Sequence, residues 1–375
     1  MNQTRQQDHF RDIVICTGLA AAVVLLAVHP SQATAAAADA LGLCCRVIIP
    51  SLFPYFVLTG MLTRGALPQV LSRLARPVMG PLFGVGGAGA APLVLGLVGG
   101  YPVGARTVAE LYDSGSVSKA EAEKLLAFCN NSGPAFIFGV AGAAVLESGR
   151  LALIVYLSHI AGSVCTGLLL RGRRADCTLS APAPSRTCVQ GSFSERFVAA
   201  VTGSFTAVLN VCAFILFFAV AVKMTTLFFP ADSPACTWLL RLYTGAMELS
   251  SGIWSLKGAG ISSPLLAAAA ALMLGWGGLS VHCQTLALTA GRGLRMRRYF
   301  CGKLLHGLLS ALFAGAAALL SAPFLQPARD TAALPVWICQ AHAVTPLLPA
   351  LSAGFLWAAA QLLLSVKNIV EKRKR

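Results

Sequence analysis

Long stretches without charge constrain this chain more than any other feature. A membrane-spanning helix needs about 20 mostly apolar residues. Five stretches approach or exceed that length with at most one charged residue each: Ile13–His29, Leu151–Leu170, Phe197–Phe229, Leu304–Leu320 and Leu347–Val366. Only helices and closed barrels satisfy their own backbone in lipid, and uninterrupted apolar runs of this length are typical of helices. The predicted fold class is an all-α polytopic membrane protein.

The overall composition excludes a large soluble domain. Hydrophobic residues make up 56% of the 375 residues and charged residues only 11%. Soluble domains carry about 25% charged residues. A globule of this size could not cover its surface with so few charges, so the expected partner of most of the surface is the lipid bilayer.

The excess positive charge is confined to short segments. The net charge is +15. Its basic residues cluster in three places: Arg171, Arg173 and Arg174; Arg292, Arg295, Arg297 and Arg298; and the tail Lys367, Lys372, Arg373, Lys374 and Arg375. Basic connections of membrane proteins stay on the cytoplasmic side. We therefore expect these segments, the C-terminal tail included, to be cytoplasmic, and we expect no nucleic-acid partner because no aromatic residues are interleaved for base stacking.

The first 38 residues are predicted to be an uncleaved span and its linker. Ile13–Val28 followed by Ala33–Ala38 also fits a secretory signal with a small-residue cleavage site. However, Met1–Asp12 balances two arginines against two aspartates, and a signal peptide needs a positive start.

Metal and cofactor motifs are not found in the sequence. The twelve cysteines include no C-x-x-C spacing, and the six histidines include no H-x-x-x-H. A zinc site needs such spacings. We expect no metal and no cofactor, and we interpret the cysteines as small apolar packing residues.

Two segments predict interrupted helices. Gly84–Gly104 is apolar but rich in glycine. Irregular backbone at membrane depth is tolerated only inside protein or beside a cavity, so this segment is expected to be a re-entrant hairpin or a broken helix. Further on, Ser118 and Glu121 form a capping box for a polar helix, which runs into Asn130–Pro134, a second polar interruption before an apolar stretch.

The second half of the chain weakly repeats the first. Leu95–Thr107 aligns with Met273–Thr285, with Gly99 and Gly277 separated by 178 residues. Glycine-interrupted segments in matching halves are the sequence signature of transporters with a site at the repeat interface; chance matching in glycine-rich sequence is the alternative. The predicted divisions are an N-terminal span and linker (1–38), a first repeat (39–170), a polar basic loop (171–196), a second repeat (197–325), and a C-terminal span with its tail (326–375).

Three motifs resemble a known family. Gly100–Arg106, Asn130–Pro134 and Gly277–Gln284 resemble the YlbJ family of sporulation integral membrane proteins, in order and between about Leu43 and Ser310. That family has paired nucleoside-recognition (Gate) domains. The resemblance implies an endospore-forming bacterium and export of dipicolinic acid from the mother cell across the outer forespore membrane. Arg106 stands where relatives are expected to have lysine.

Polar residues near these interruptions are the candidate site. An Arg or Asp at the centre of a span costs about 2.5–3.5 kcal/mol on insertion scales and is functional by default. Glu248 is the candidate for proton or ion coupling. The predicted substrate-binding residues are Gly100, Tyr101, Gly104, Arg106, Asn130, Asn131, Ser132, Gly278, Ser280, His282 and Gln284.

Each polar candidate also has a structural interpretation. Arg106 either faces a substrate carboxylate or pairs with Glu110 four residues on. The asparagines either bind substrate or cap a helix. His282 and Gln284 either bind an anionic heteroaromatic solute or make interhelical contacts, and Glu248 either titrates or pairs with one of two nearby cations, Arg241 or Lys257.

These patterns favour a transporter of a small organic anion such as dipicolinate. The alternatives are a non-transporting scaffold protein of the spore envelope and a transporter of a nucleoside-like solute. An enzyme is not expected, because Ser280 and His282 are two residues apart and cannot face each other on a helix. The oligomeric state, a homo-oligomer included, stays open.

Overall fold

The computed structural model describes residues 2–321, apart from 64, 66, 173–191 and 230–232. The predicted C-terminal span Leu347–Val366, the basic tail and most of the loop 171–196 therefore lie outside the described residues.

The described residues form fifteen α-helices, and no strand occurs among them. A π-helix Cys44–Ile48 joins α2 to α3, a 3₁₀ turn Gly87–Gly89 precedes α5, and a π-helix Ile137–Leu146 continues α8. The helices are α1 (Asn2–Val28), α2 (Pro30–Leu43), α3 (Ile49–Thr63), α4 (Leu67–Phe83), α5 (Ala90–Gly99), α6 (Val103–Asp113), α7 (Lys119–Cys129), α8 (Pro134–Phe136), α9 (Gly149–Leu169), α10 (Phe193–Thr226), α11 (Pro234–Met247), α12 (Leu249–Ser255), α13 (Ser263–Trp276), α14 (Gly278–Thr289) and α15 (Arg297–Leu320).

Six described segments are long and apolar enough to cross a membrane, which confirms the all-α polytopic fold class. They are Pro30–Leu62, Lys119–Leu146, Gly149–Leu169, Phe193–Thr226, Ser263–Thr289 and Arg297–Leu320. Leu67–Phe83 and Gly87–Gly99, bent by 97° at a short break, make a seventh if they count as one span. The apolar part of α1, Asp12–Val28, is shorter than these six.

Pro50 and Pro54 do not interrupt the first of these segments, Pro30–Leu62. Helix α2 continues through the π-helix into α3, with Pro50 and Pro54 inside the helical run. A proline ring clashes with the carbonyl four residues earlier in a regular α-helix. Arg46, four residues before Pro50, lies in the π-helix, whose wider turn eases this contact for Pro50. Pro54 lies within α3 itself, and the helical run continues past it.

Helix α15 is the central packing element, lying against α13 and α9. Small residues allow close approach: a Cβ on Gly275 would lie 2.5 Å from the Cα of Gly307. In membranes, where apolar burial does not drive association, such contacts hold helices together. This packing fixes α15 beside the helix breaks described below.

The element order reveals two matching runs. In the first run, one break separates α5 from α6, a second follows α7 before α8 and the π-helix, and α9 is continuous. In the second run, one break separates α11 from α12, a second separates α13 from α14, and α15 is continuous. His159 and Ser163 on α9 correspond to His306 and Ser310 on α15, each 147 residues apart. This register differs from the 178 expected from sequence, because the two Gly-Gly pairs mark the first break of one run and the second break of the other.

The described residues of two basic clusters lie at one end of the helices. Arg292 donates two hydrogen bonds to the carboxylate of Asp113, at 2.8 and 2.7 Å. The N–H of Arg295 donates to Glu123 at 2.8 Å, and Gly172 lies against the Arg298 guanidinium. We call this the basic end. The positive-inside rule predicts that it faces the cytoplasm.

Candidate functional site

Four helix breaks define the candidate site. They fall at Gly100–Pro102, Asn130–Gly133, Glu248 and Gly277. Gly100 has φ +78° and Gly277 φ +89°, conformations that glycine adopts without steric cost. Each break ends one helix and begins another, so it exposes backbone carbonyls and N–H groups that the helices themselves cannot satisfy.

The breaks meet in pairs through glycines. A Cβ on Gly100 would lie 2.8 Å from the backbone nitrogen of Gly133, which joins the first break to the second. A Cβ on Gly278 would lie 2.9 Å from the backbone nitrogen of Leu249, which joins the third to the fourth. The same relation therefore recurs in both runs.

One cavity of about 40 Å³ is lined by residues of the first three breaks and by α14, the helix that begins at the fourth. Its apolar wall comes from the span Pro30–Leu62, from α8 and from α10: Ile48, Leu52, Phe136, Val211 and Ile215. Its remaining lining is Gly100, Tyr101, Ser132, Gly133, Glu248, Leu249, Ser250, Ser280, Val281 and Gln284. A water needs about 10–15 Å³ by this measure, so the cavity has room for about three waters, and an organic solute requires the helices to move apart.

Three polar side chains in this lining have no hydrogen-bond partner. The hydroxyls of Ser132 and Ser280 and the side-chain carbonyl of Gln284 are buried and unpaired. A buried unpaired polar group costs about 1–3 kcal/mol, and such groups in a cavity are explained by a ligand or water. These residues were predicted from sequence, and the structure places them together.

Glu248 contributes the carboxylate of the cavity. It is 1% exposed and caps α12, accepting the N–H of Ser250 at 2.9 Å and of Ser251 at 2.6 Å. The expected alternative, pairing with Arg241 or Lys257, is wrong. Lys257 lies 3.7 Å from Glu147 instead, and Arg241 donates to the carbonyl of Ala259 at 3.5 Å and lies over the Trp238 ring.

A fully buried lysine stands directly behind the cavity wall. Lys303 of α15 donates to the hydroxyl of Tyr101 at 2.7 Å, to the carbonyl of Asn130 at 2.9 Å and to Nδ1 of His306 at 3.2 Å. Among the described residues no carboxylate lies within ion-pair distance of it. Sequence reasoning missed this residue as a site because the apolar stretch was taken to begin at Leu304, whereas α15 begins at Arg297 and places Lys303 inside it.

Two histidines extend this network to the second break. Because Nδ1 of His306 accepts from Lys303, its Nε2 carries the proton and donates to the carbonyl of His159 at 2.9 Å. The backbone N–H of Ser132 donates to Nε2 of His159 at 3.0 Å. These bonds assign both imidazoles as neutral. Lys303 is thus linked to the first break through Tyr101 and to the second through Asn130 and through the histidines.

Several predicted site residues support the breaks rather than line the cavity. The side chain of Asn130 accepts from the N–H of Ala105 at 3.3 Å and donates to Thr285 at 2.9 Å. Asn131 donates to the carbonyl of Phe128 at 2.9 Å and to Ser163 at 3.1 Å. These bonds favour the structural interpretation of both asparagines.

His282, Gly104 and Gly278 are likewise packing residues in this structure. His282 hydrogen-bonds through Nδ1 to the hydroxyl of Tyr299 at 2.8 Å, which is an interhelical contact between α14 and α15. Gly104 lies against the carbonyl of Cys129, and Gly278 against Leu249. None of the three is among the residues lining the cavity.

Comparison with known proteins gives the same result as the three motifs. The chain is 28% identical over 315 residues to the sporulation integral membrane protein YlbJ of Bacillus subtilis (strain 168), which covers 76% of this chain and 77% of that protein. This similarity supports the resemblance to the YlbJ family. No family model matches the chain, and no solved structure matches it. The YlbJ relationship and the candidate spans together identify an integral membrane protein.

The expected YlbJ-family cation at position 106 lies away from the central cavity. Arg106 pairs with Glu110 at 3.0 Å, and its side chain is 41% exposed. Both residues line a second cavity of about 40 Å³ with Phe56, Thr59, Gly60, Pro102, Val103, Thr107, Ser204 and Ala207. The expectation that Arg106 holds a substrate carboxylate beside the other predicted residues is therefore not supported by the geometry, which matches the Glu110 alternative.

Proposed function

We propose that this chain is a membrane transporter of a small polar solute, and that dipicolinate is its first candidate substrate. The observation that supports this is the convergence of three helix breaks, and of the helix that begins at the fourth, on one cavity in which the Ser132 and Ser280 hydroxyls and the Gln284 side-chain oxygen are unpaired. Broken helices at membrane depth are tolerated where they line a cavity, and transporters bind solutes between discontinuous helices. The family resemblance adds the proposed place: the outer forespore membrane, with export from the mother cell.

The electrostatics of the breaks favour a carboxylate. Helices α6 and α14 begin at breaks, and the N-terminus of a helix carries a partial positive charge. The hydroxyls of Ser132 and Ser280 can donate to an anion because neither is committed to a protein acceptor. Lys303 lies one side chain behind the wall, and its three acceptors match the three N–H groups of an ammonium.

Glu248 can couple movement of the solute to movement of a proton. An ionised carboxylate repels an anion about 4 Å away by about 4 kcal/mol at an effective dielectric of 20. Proton uptake by Glu248 removes that repulsion, so the proposal includes movement of the anion together with a proton. Its two backbone hydrogen bonds hold the carboxyl at the cavity surface.

A nucleoside-like solute is the second candidate. Among the described residues, those lining the cavity include a carboxylate, hydroxyls and an amide but no lysine or arginine. That set also suits a neutral solute with several hydroxyl groups. The rival of another class, a membrane scaffold of the spore envelope, would use the same fold without carrying a solute.

Initial uptake into proteoliposomes separates the three. Saturable uptake of dipicolinate supports the first proposal, uptake of uridine in its place supports the second, and no uptake of either supports the scaffold. Gln284→Leu should reduce transport at least tenfold at matched protein levels, because it removes a polar group from the cavity. Thr202→Val, on the exposed side of α10, is the matched polar-to-apolar control and should transport like the wild-type protein.

A further inference from the structure

Lys303 is a buried lysine that the residues lining the cavity do not account for. Its side chain is fully buried, and its three N–H groups all meet neutral acceptors: a phenol, a backbone carbonyl and an imidazole. Burying an ion without an opposite charge is costly, and such residues within membrane spans mark functional sites. The carbonyl of Asn130 lies at the end of α7, where the helix itself provides no partner and a cation is favourable. A neutral donor would satisfy this carbonyl equally well, so it does not explain why a lysine is present.

Tyr101 is the layer between this charge and the cavity. Its hydroxyl accepts from Lys303 and donates to the carbonyl of Leu274 at 2.9 Å. The Lys303 ammonium lies 5.0 Å from the centre of the Tyr101 ring, and Tyr101 itself lines the cavity. In this low-dielectric surrounding, screening by water is weak and the charge acts across one side chain.

We propose that Lys303 is the fixed positive charge that makes the central cavity prefer anionic over neutral solutes. It is a specificity-determining and positioning residue, because it acts through Tyr101 and does not touch the solute. The inference rests on the proposed transport function. The cavity lining has Glu248 as its charged group, and a negative carboxylate would repel an anionic substrate. A positive charge on Lys303 behind the wall offsets the negative charge of Glu248.

Two solutes of nearly one shape test the charge preference. Pyridine-2,6-dicarboxamide has the ring and substituent pattern of dipicolinate without its charges. The measurement is the ratio of kcat/KM for dipicolinate to that for the diamide in proteoliposomes. Lys303→Gln should lower this ratio at least tenfold while the diamide rate stays within about threefold, and Lys303→Arg should keep most of the preference because the charge remains.

Controls separate charge from structure. Lys257→Gln removes a half-exposed lysine that faces Glu147 and should leave the ratio unchanged. If Lys303→Gln is unstable, Lys303→Met decides, because an apolar side chain of similar length has no polar group to satisfy at this site. Equal loss of both solutes in a folded variant would show a purely structural lysine, and an unchanged ratio would show that selection lies elsewhere; either result overturns the inference.

A binding measurement distinguishes this inference from the transport proposal. Thermal unfolding of the purified protein is followed with each solute at a series of concentrations. Dipicolinate should raise the Tm of the wild-type protein more than the diamide does, and Lys303→Gln should abolish the difference. If dipicolinate stabilises the protein more than the diamide does but no flux is measured, the transport proposal is contradicted and the charge preference stands. If dipicolinate is transported but Lys303→Gln changes neither measurement, the charge preference is contradicted and the transport proposal stands.

Discussion

Gly100 and Gly133 touch across the first two helix breaks, with room for no side chain between them: a Cβ on Gly100 would lie 2.8 Å from the backbone nitrogen of Gly133. Gly100 also has φ +78°. The close approach and the positive φ both require glycine at position 100. Gly100 and Gly133 both line the cavity.

Gly100→Ala should therefore disrupt the site. The methyl group must separate the two breaks, and residue 100 must also keep φ +78° and ψ −172°, a region open essentially only to glycine, which costs about 1–3 kcal/mol by itself. We expect a lower Tm and at least a tenfold loss of uptake. Gly115→Ala is the control: Gly115 has φ +69° but nothing within 4 Å of an added Cβ, so it tests the strain alone and should keep transport.

Ser280→Ala should separate function from stability. The Ser280 hydroxyl is buried without a partner, so its removal is expected to leave the free energy of unfolding unchanged or to raise it by up to about 1 kcal/mol. Uptake should fall several-fold because a donor to the solute is lost. Ser255→Ala is the comparison, since the Ser255 hydroxyl donates to the carbonyl of Gly252 at 2.7 Å. A fall in stability without a fall in uptake for Ser280→Ala would contradict a binding role.

Glu248→Gln should uncouple transport from protons. The amide oxygen can still accept a backbone N–H at the start of α12, but the side chain can no longer exchange a proton. Uptake driven by a pH gradient is expected to drop to the rate seen without a gradient. Glu147→Gln replaces a surface carboxyl near Lys257, and its uptake should still be stimulated by the pH gradient. Persistence of full stimulation in Glu248→Gln would place coupling on another group.

Arg106→Gln should keep transport within about threefold of the wild-type rate. Its guanidinium is paired with Glu110 at 3.0 Å and lines the second cavity rather than the central one. A large loss, comparable with that of Lys303→Gln, would restore the sequence-based expectation that Arg106 holds the substrate.

The ion pair at the basic end predicts a weak acid dependence of stability. Hydrogen bonds from Arg292 lower the pKa of Asp113 below its usual value. The pair stabilises the fold above the unfolded pKa of about 3.9 and is lost as pH falls through the lower folded value. Since the side chains of Arg292 and Asp113 are 30% and 49% exposed, the contribution is expected to stay below about 1 kcal/mol.

Asp113→Asn tests this dependence. It should lower Tm slightly at pH 7, and the difference from the wild-type protein should shrink as the pH is lowered towards 3. Asp39→Asn, at an exposed position of α2, is the control and should show no such convergence. A difference that grows on acidification would contradict the assigned pair.

The sequence predicted the broken helices well because their causes are local. The break at Gly100 follows from glycine clustering and that at Asn130 from polar residues between apolar helices; the capping box of Ser118 and Glu121 is also confirmed. What joins these breaks could not be predicted. Lys303 and Tyr101 are 202 residues apart in the chain, and nothing in either local pattern indicates the other. The structure gives an offset of 147 residues between the repeats instead of 178 for a related reason. A Gly-Gly pair indicates a tight backbone break, but it does not show that two breaks occupy equivalent places in the repeats.

The basic end has a kinetic consequence for an anionic solute. Arginines at one end of the helices create a positive potential that raises the local concentration of anions and speeds their encounter with the protein. The effect acts within a Debye length of about 8 Å at physiological ionic strength. Arrival of dipicolinate from this side should therefore be faster at low salt, while capture from the opposite side should respond little, so the protein would be asymmetric in its capture rates before any helix has moved.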